Sequence, residues 1–155
     1  WKTIFMRNEG QADETYLADV QAIIRSIGQQ AELLVQRPFA EVKAHMEKSA
    51  IAIVPSIWKE AFGRTALEAH AGGAAVISSG SGGLREVSGE NAIFLPAVTP
   101  KHIAEAVADL IENPNRREIL TAAGRERAAR LFDARTVAAV CDDVYIQALK
   151  GFRAG

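Results

Sequence analysis

Two glutamates eight residues apart, Glu60 and Glu68, flank a glycine in the run Pro55-Ser-Ile-Trp-Lys-Glu-Ala-Phe-Gly-Arg-Thr-Ala-Leu-Glu68. An apolar run of strand length, Ala50 to Val54, leads into this stretch, and a helical pattern leaves it. The free N–H groups of a helix's first turn, here around Phe62 to Thr65, make an anion site, and Gly63 lets a ligand come close to the backbone. Glu60 lies just before the helix and Glu68 within it; eight helical steps would separate them by about 12 Å. One carboxylate can then face each end of an extended ligand whose phosphates sit between them. Ionised carboxylates accept hydrogen bonds from hydroxyls, such as those of a sugar at one end and a ribose at the other. Against phosphate they would repel, so the backbone amides must carry that contact.

A second stretch, Ser79 to Gly83, is a glycine-rich loop before a short helical turn at Leu84 to Val87. Other residue types able to do chemistry have plainer readings. His45, His70 and His102 lack metal-ligand spacing and read as structural or solvated. Trp58 reads as a loop anchor. Cys141 falls on an apolar helix face and reads as core. The arginines Arg116, Arg117, Arg125, Arg127 and Arg130 read as a solvated helix face, with an anionic surface partner as the alternative. Glu68 has a solvated-residue alternative, Glu60 could simply complement a helix N-terminus, and Gly82 and Gly83 could be turn punctuation.

These residues need elements to position them, and the chain alternates. Trp1 to Met6, Ala31 to Val35, Ala50 to Val54, Ala74 to Ser78 and Ala92 to Leu95 are short apolar runs. Between them, Asp13 to Ile27 carries Leu17, Val20, Ile23, Ile24 and Ile27 on one helical face, with Gly28 as its stop. Phe39 to Ser49 has Val42 and Met46 at helical spacing, and Phe62 to Ala71 reads as a helix ended by Gly72-Gly73. The remainder is helical: Thr99-Pro100 and Asn113-Pro114 are start signals, the second for a helix to about Leu131, and Asp133 caps a last helix carrying Val137, Val140, Cys141, Val144 and Ala148. Such alternation predicts an α/β fold, a doubly wound parallel sheet covered on both faces. Ligands of such sheets bind beyond the carboxyl ends of the strands. The segments after Val35, Val54, Ser78 and Leu95 are the places to look, and the last helices are expected to pack on the sheet.

With 155 residues, 48% hydrophobic and 24% charged, the chain has the composition of one ordinary globular domain. A formal net charge of −1 supplies no overall basic field for nucleic acid or an anionic membrane. The single cysteine cannot form an internal disulfide, which fits a reducing compartment. No apolar run reaches the length of a membrane span. Because it begins at Trp1, the chain is expected to be a piece of something longer.

Glu60 and Glu68 match the E-x7-E signature of family 4 and related GT-B glycosyltransferases. Pro55-Ser56, Phe62-Gly63, Leu67-Glu68-Ala69, Ala71-x-Gly73 and Val76-Ile77 match the flanking pattern, and Gly82-Gly83-Leu84-x-Glu86 resembles the glycine loop that follows. The likeness runs from about Glu32 to the final helix. His70, Gly72 and Arg85 depart from the pattern, the last standing where the family often has proline.

The resemblance implies a Rossmann-like half of a GT-B fold lacking its first strand–helix unit, a single donor-binding domain over residues 1–155. In that family Glu60 would bind donor-sugar hydroxyls and align the anomeric centre. Backbone amides of Ala61, Phe62, Gly63, Arg64 and Thr65 would contact the sugar and distal phosphate, with the Arg64 side chain a further phosphate candidate. Glu68 would hold the ribose. Gly82 and Gly83 would line or support the sugar side, and the loop with Arg37 would lie by the base. The implied activity is retaining transfer of a hexose from a nucleotide-diphosphate sugar to a glycan, lipid or lipopolysaccharide acceptor, with no cofactor and no metal. The wording Phe62 to Glu68 is similar to bacterial lipopolysaccharide-core mannosyltransferases, so GDP-mannose is the first donor expected and a UDP-hexose the second. Implied partners are the donor and an acceptor-binding N-terminal domain, with no nucleic acid. The location implied is the cytoplasm, including peripheral contact with the inner face of the membrane. The fragment alone is expected to be inactive, because the arginine and lysine that meet the diphosphate in the family come from upstream. Two alternatives stand: a non-catalytic Rossmann-like binding module, and a GT-B nucleotide-sugar epimerase relative.

Overall fold

Apolar runs followed by amphipathic stretches become parallel strands and covering helices in the computed structural model, which describes residues 2–7 and 14–153. Trp1 and Asp13, the expected starts of the first strand and first helix, lie outside the described residues. By its internal contacts the chain divides into two compact units, Trp1–His45 and Met46–Gly155.

In the first unit β1 (Thr3–Arg7) pairs in parallel with β2 (Ala31–Val35), Thr3 opposite Ala31 and Arg7 opposite Val35. Between them runs α1 (Glu14–Ile27), which packs on β2. Leu17, Val20 and Ile24 are half-buried, whereas Ile23 and Ile27 of the expected face are exposed. A Lys2–Glu32 ion pair of 2.6 Å joins the strand starts and holds the Glu32 carboxyl below its ordinary pKa. Helix α2 (Phe39–Lys48) begins after a turn at Gln36 to Pro38, and the division between the units falls within it.

The second unit holds a parallel sheet in the order β3-β4-β5, from Ile51–Val54, Ala75–Ser78 and Ala92–Phe94. All four residues of the central strand β4 are fully buried, as expected of a strand covered on both faces. Alternation sends its side chains to two cores. Val76 joins Val54, Ala66, Ala69, Leu84 and Val87 on one face. Ala75 and Ile77 join Leu95, Ala106 and Leu110 on the other. Helices α3 (Arg64–Gly72) and α4 (Gly83–Ser88) supply the first core, and α5 (Pro100–Glu112) the second. Leu120 and Phe132, from α6 (Pro114–Phe132), reach one core each. The α/β class with parallel strands stands as expected, with its ladders in two groups, β1-β2 and β3-β4-β5.

Thr99 caps α5 as expected, its hydroxyl accepting the His102 N–H at 3.3 Å. Asp133 Oδ1 accepts the Arg135 N–H at 2.9 Å at the start of α7 (Ala134–Arg153). Asn113 marks the right place by a different mechanism: its side-chain amide turns back to Asp109, donating to both the backbone carbonyl and Oδ1 at 3.0 Å. Two expectations fail on α7. It packs chiefly against α6 rather than on the sheet, and its residues 134–152 are exposed. Cys141, expected in the core, is therefore exposed. Helical period marks one apolar face, but packing against α6 leaves its Val137, Val140, Val144 and Leu149 exposed. Among the described residues no helix is long and apolar enough to cross a membrane.

Candidate functional site

Pro55 ends β3, and the chain beyond its carboxyl end runs without regular structure to Gly63. Two features fix this loop. Glu60 forms a parallel bridge with Gly82, and the Gly83 N–H donates to the Glu60 carbonyl at 2.8 Å. The glycine loop after β4 thus lies against the glutamate loop after β3, along the backbone. A Cβ on Gly82 would collide with the Glu60 carbonyl, and one on Gly83 would come within 2.6 Å of Phe62 Cα. Gly82 also has φ +61. Close approach is what requires glycine at these two positions.

The Glu60 carboxylate is half-buried and accepts a hydrogen bond from Ser56 Oγ at 2.8 Å. Sequence reasoning assigned Ser56 no role; the signal was a hydroxyl four residues before the carboxylate, in the quoted Pro55-Ser56. Helix α3 starts two residues later than expected. Gly63 is its N-cap in the left-handed region, φ +99, a conformation unfavourable for Phe62 or any other L side chain. The interval from Glu60 to Glu68 is thus part loop and part helix, not eight helical steps. The first bonds of α3 run from the Ala66 and Leu67 N–H groups to the Gly63 carbonyl, leaving the Arg64 and Thr65 N–H groups ahead of the ladder.

On the second turn Glu68 pairs with Arg64 at 3.2 Å, its side chain 28% exposed against 79% for the arginine. Such an i,i+4 pair contributes only about 0.3–0.5 kcal/mol, so Arg64 can leave it for an anion at little cost. Ala61 and Phe62 are exposed, the Phe62 ring standing edge-on to Phe132 at 5.6 Å. Trp58, read from the sequence as a loop anchor, is 63% exposed. The structure therefore brings together Glu60, Ala61, Phe62, Gly63, Gly82 and Gly83, with Arg64, Thr65 and Glu68 on the adjoining helix. Arg37 lies in the first unit, exposed, with Glu41 3.9 Å away, beside Gln36 at φ 51. A positive φ on a non-glycine residue costs of order 1 kcal/mol and often marks a functional loop.

Two concavities of the second unit, one at the α5–α6 turn around Asn113 and one under Ala50 and Gly73, include neither Glu60 nor Glu68. Among the described residues no three of His, Cys, Asp and Glu are grouped to hold a metal.

Behind the site His70 of α3 is buried, its Nε2 3.1 Å from Ser88 Oγ and its Nδ1 without a hydrogen-bond partner. Burial, then the charge of Arg127, pushes its pKa down to about 4 from 6.5. Folded His70 is thus neutral, and between pH 6.5 and 4 the unfolded chain takes the proton first. Stability is lost as pH falls through that window, by up to about 3 kcal/mol from this group. His70→Asn should flatten that part of the profile in denaturant titrations at pH 7 and 4.5; an unchanged slope would contradict it.

A family model described as "Glycosyl transferases group 1" matches residues 10–127. Over 115 residues the chain is 32% identical to a glycogen synthase of Mycobacterium tuberculosis, covering 73% of this chain and 28% of that protein. A D-inositol 3-phosphate glycosyltransferase of Thermobispora bispora is 32% identical over 143 residues, covering 91% and 33%. Among solved structures, Anabaena HepE in complex with UDP superposes with a TM-score of 0.83 at 19% identity, covering 94% of this chain and 41% of that one. The chain spans about a third of the length of the curated relatives it matches.

Proposed function

The chain belongs to the group 1 glycosyl transferases, and from that premise we propose that it is the donor-binding part of a retaining hexosyltransferase. The observation that carries the proposal is the backbone bracing of Glu60 by Gly82 and Gly83 beside the open first turn of α3. A carboxylate held by Ser56 and fixed through its own backbone is suited to receive sugar hydroxyls and set the angle of the anomeric carbon. The Arg64 and Thr65 N–H groups are suited to the distal phosphate, where negative charge grows as the nucleoside diphosphate leaves. Glu68 takes the ribose, and Arg64, released from Glu68, adds a cation. We propose no metal and no cofactor: the leaving charge is met by amides and cations. The other wall of the cleft and the acceptor site belong to a further domain of the parent protein, so the 155-residue chain alone binds nucleoside diphosphate weakly and transfers nothing.

The donor is GDP-mannose or a UDP-hexose. The wording Phe62 to Glu68 supports the first, and the UDP held by the similarly folded HepE supports the second. The test is release of nucleoside diphosphate from each donor by the full-length protein, with and without a chelator, and the anomeric configuration of the product by NMR. Chelator-insensitive turnover with retained configuration is expected. Inverted configuration would contradict the retaining assignment, and turnover by this chain alone would contradict the half-site.

A further inference from the structure

Helix α4 is only six residues long, too short to hold its shape without support, yet its first residues brace Glu60. Support comes from its other end. Arg127 of α6 donates from Nε to the Val87 carbonyl at 2.9 Å and from Nη2 to the Glu86 carbonyl at 2.7 Å. These are carbonyls of the last turn, which a helix of this length leaves without internal partners. A guanidinium there is charge-assisted, complements the negative helix end, and fills both acceptors through one planar fork. Ser88, the last residue of α4, meets His70 of α3. Glycines make room for both clamps: a Cβ on Gly89 would come within 2.9 Å of Arg127 Cζ, and one on Gly124 within 2.9 Å of His70 Cε1. In between, Leu84 and Val87 are buried in the core, with Leu84 against Gly63. α4 is therefore a strut, seated on α6 and α3 at one end and on the Glu60 loop at the other.

We infer that Arg127 is a positioning residue for Glu60, acting through α4 without touching the donor. The role presupposes Glu60 as the catalytic carboxylate proposed above. Loosening the α4 carboxyl end lets Gly82 and Gly83 drift, and the Glu60 loop with them. The nucleotide contacts on α3 have their own seat, since Ala66 and Ala69 are fully buried on the same core.

The test uses the full-length protein with steady-state donor kinetics and calorimetric titration of the nucleoside diphosphate. Arg127→Gln should lower kcat about 10-fold, as expected for displacement of a positioned group, with nucleotide affinity within twofold of wild type. Arg127→Lys, with a single point donor in place of the fork, should fall between the two, and it carries the same test should Arg127→Gln not fold. In the double variant with Glu60→Gln, kcat should drop no further than in Glu60→Gln alone. Parallel loss of kcat and nucleotide affinity, an additive double variant, or an unchanged kcat would overturn the positioning role. Glu60→Gln leaving kcat unchanged would instead overturn the assignment of Glu60 itself.

Discussion

In the full-length protein, Glu60→Gln is expected to lower kcat for sugar transfer by about 10²-fold, the loss typical of a positioned catalytic group. The replacement keeps size and one acceptor oxygen, and the Ser56 hydrogen bond of 2.8 Å can persist. What goes is the negative charge, and with it the strength of the bonds accepted from sugar hydroxyls. In the proposed site those bonds would orient the anomeric carbon against its leaving group, so their loss should weigh on the transition state more than on donor binding. KM for the donor should change by less than about threefold on that reasoning. A variant with unchanged kcat and a large rise in KM would place Glu60 in ground-state binding only.

The second large effect is steric. Gly82→Ala and Gly83→Ala each place a methyl group against backbone, at Glu60 and at Ala61–Phe62 respectively. Backbone cannot swing aside as a side-chain tip can, so the two loops must part. Overpacking and the positive φ of Gly82 together cost about 1–3 kcal/mol of stability. Parting the loops moves Glu60, and a displacement of about 1 Å costs of order 10²-fold in turnover. Gly151→Ala is the control, because nothing stands within 4 Å of its added Cβ. Thermal melts alongside kcat decide the matter: a folded Gly83→Ala protein with wild-type kcat would show that the glycine loop does not brace the carboxylate.

The strands, the helices and the Glu60 to Glu68 stretch were legible because each is written in short-range chemistry. Apolar runs of strand length became β2 to β5, and Thr99-Pro100 and Asp133 capped the helices they precede. What stayed illegible depends on contacts distant in sequence. That Gly82 and Gly83 touch Glu60 through backbone is a matter of which strand lies beside which, and a glycine pair does not announce its neighbour. The start of α3 moved to Arg64 because Gly63 went left-handed, a choice among conformations that glycine leaves open. Arg127 read as solvated because α6 carries arginines all along; its place three residues after Gly124, on the buried side, was the available signal. Cys141 and the apolar residues of α7 show the converse, since periodicity gives a helix an apolar face without saying what covers it.

In the proposed site Glu60 serves the sugar and Glu68 the ribose. Calorimetric titration of a nucleoside diphosphate, which has a ribose and no donor sugar, into full-length wild type, Glu60→Gln and Glu68→Gln tests it most directly. Glu68→Gln should weaken binding by roughly 10-fold or more, the value of a lost charged hydrogen bond, while Glu60→Gln binds as wild type does. Nucleotide binding abolished by Glu60→Gln and untouched by Glu68→Gln would contradict the assignment.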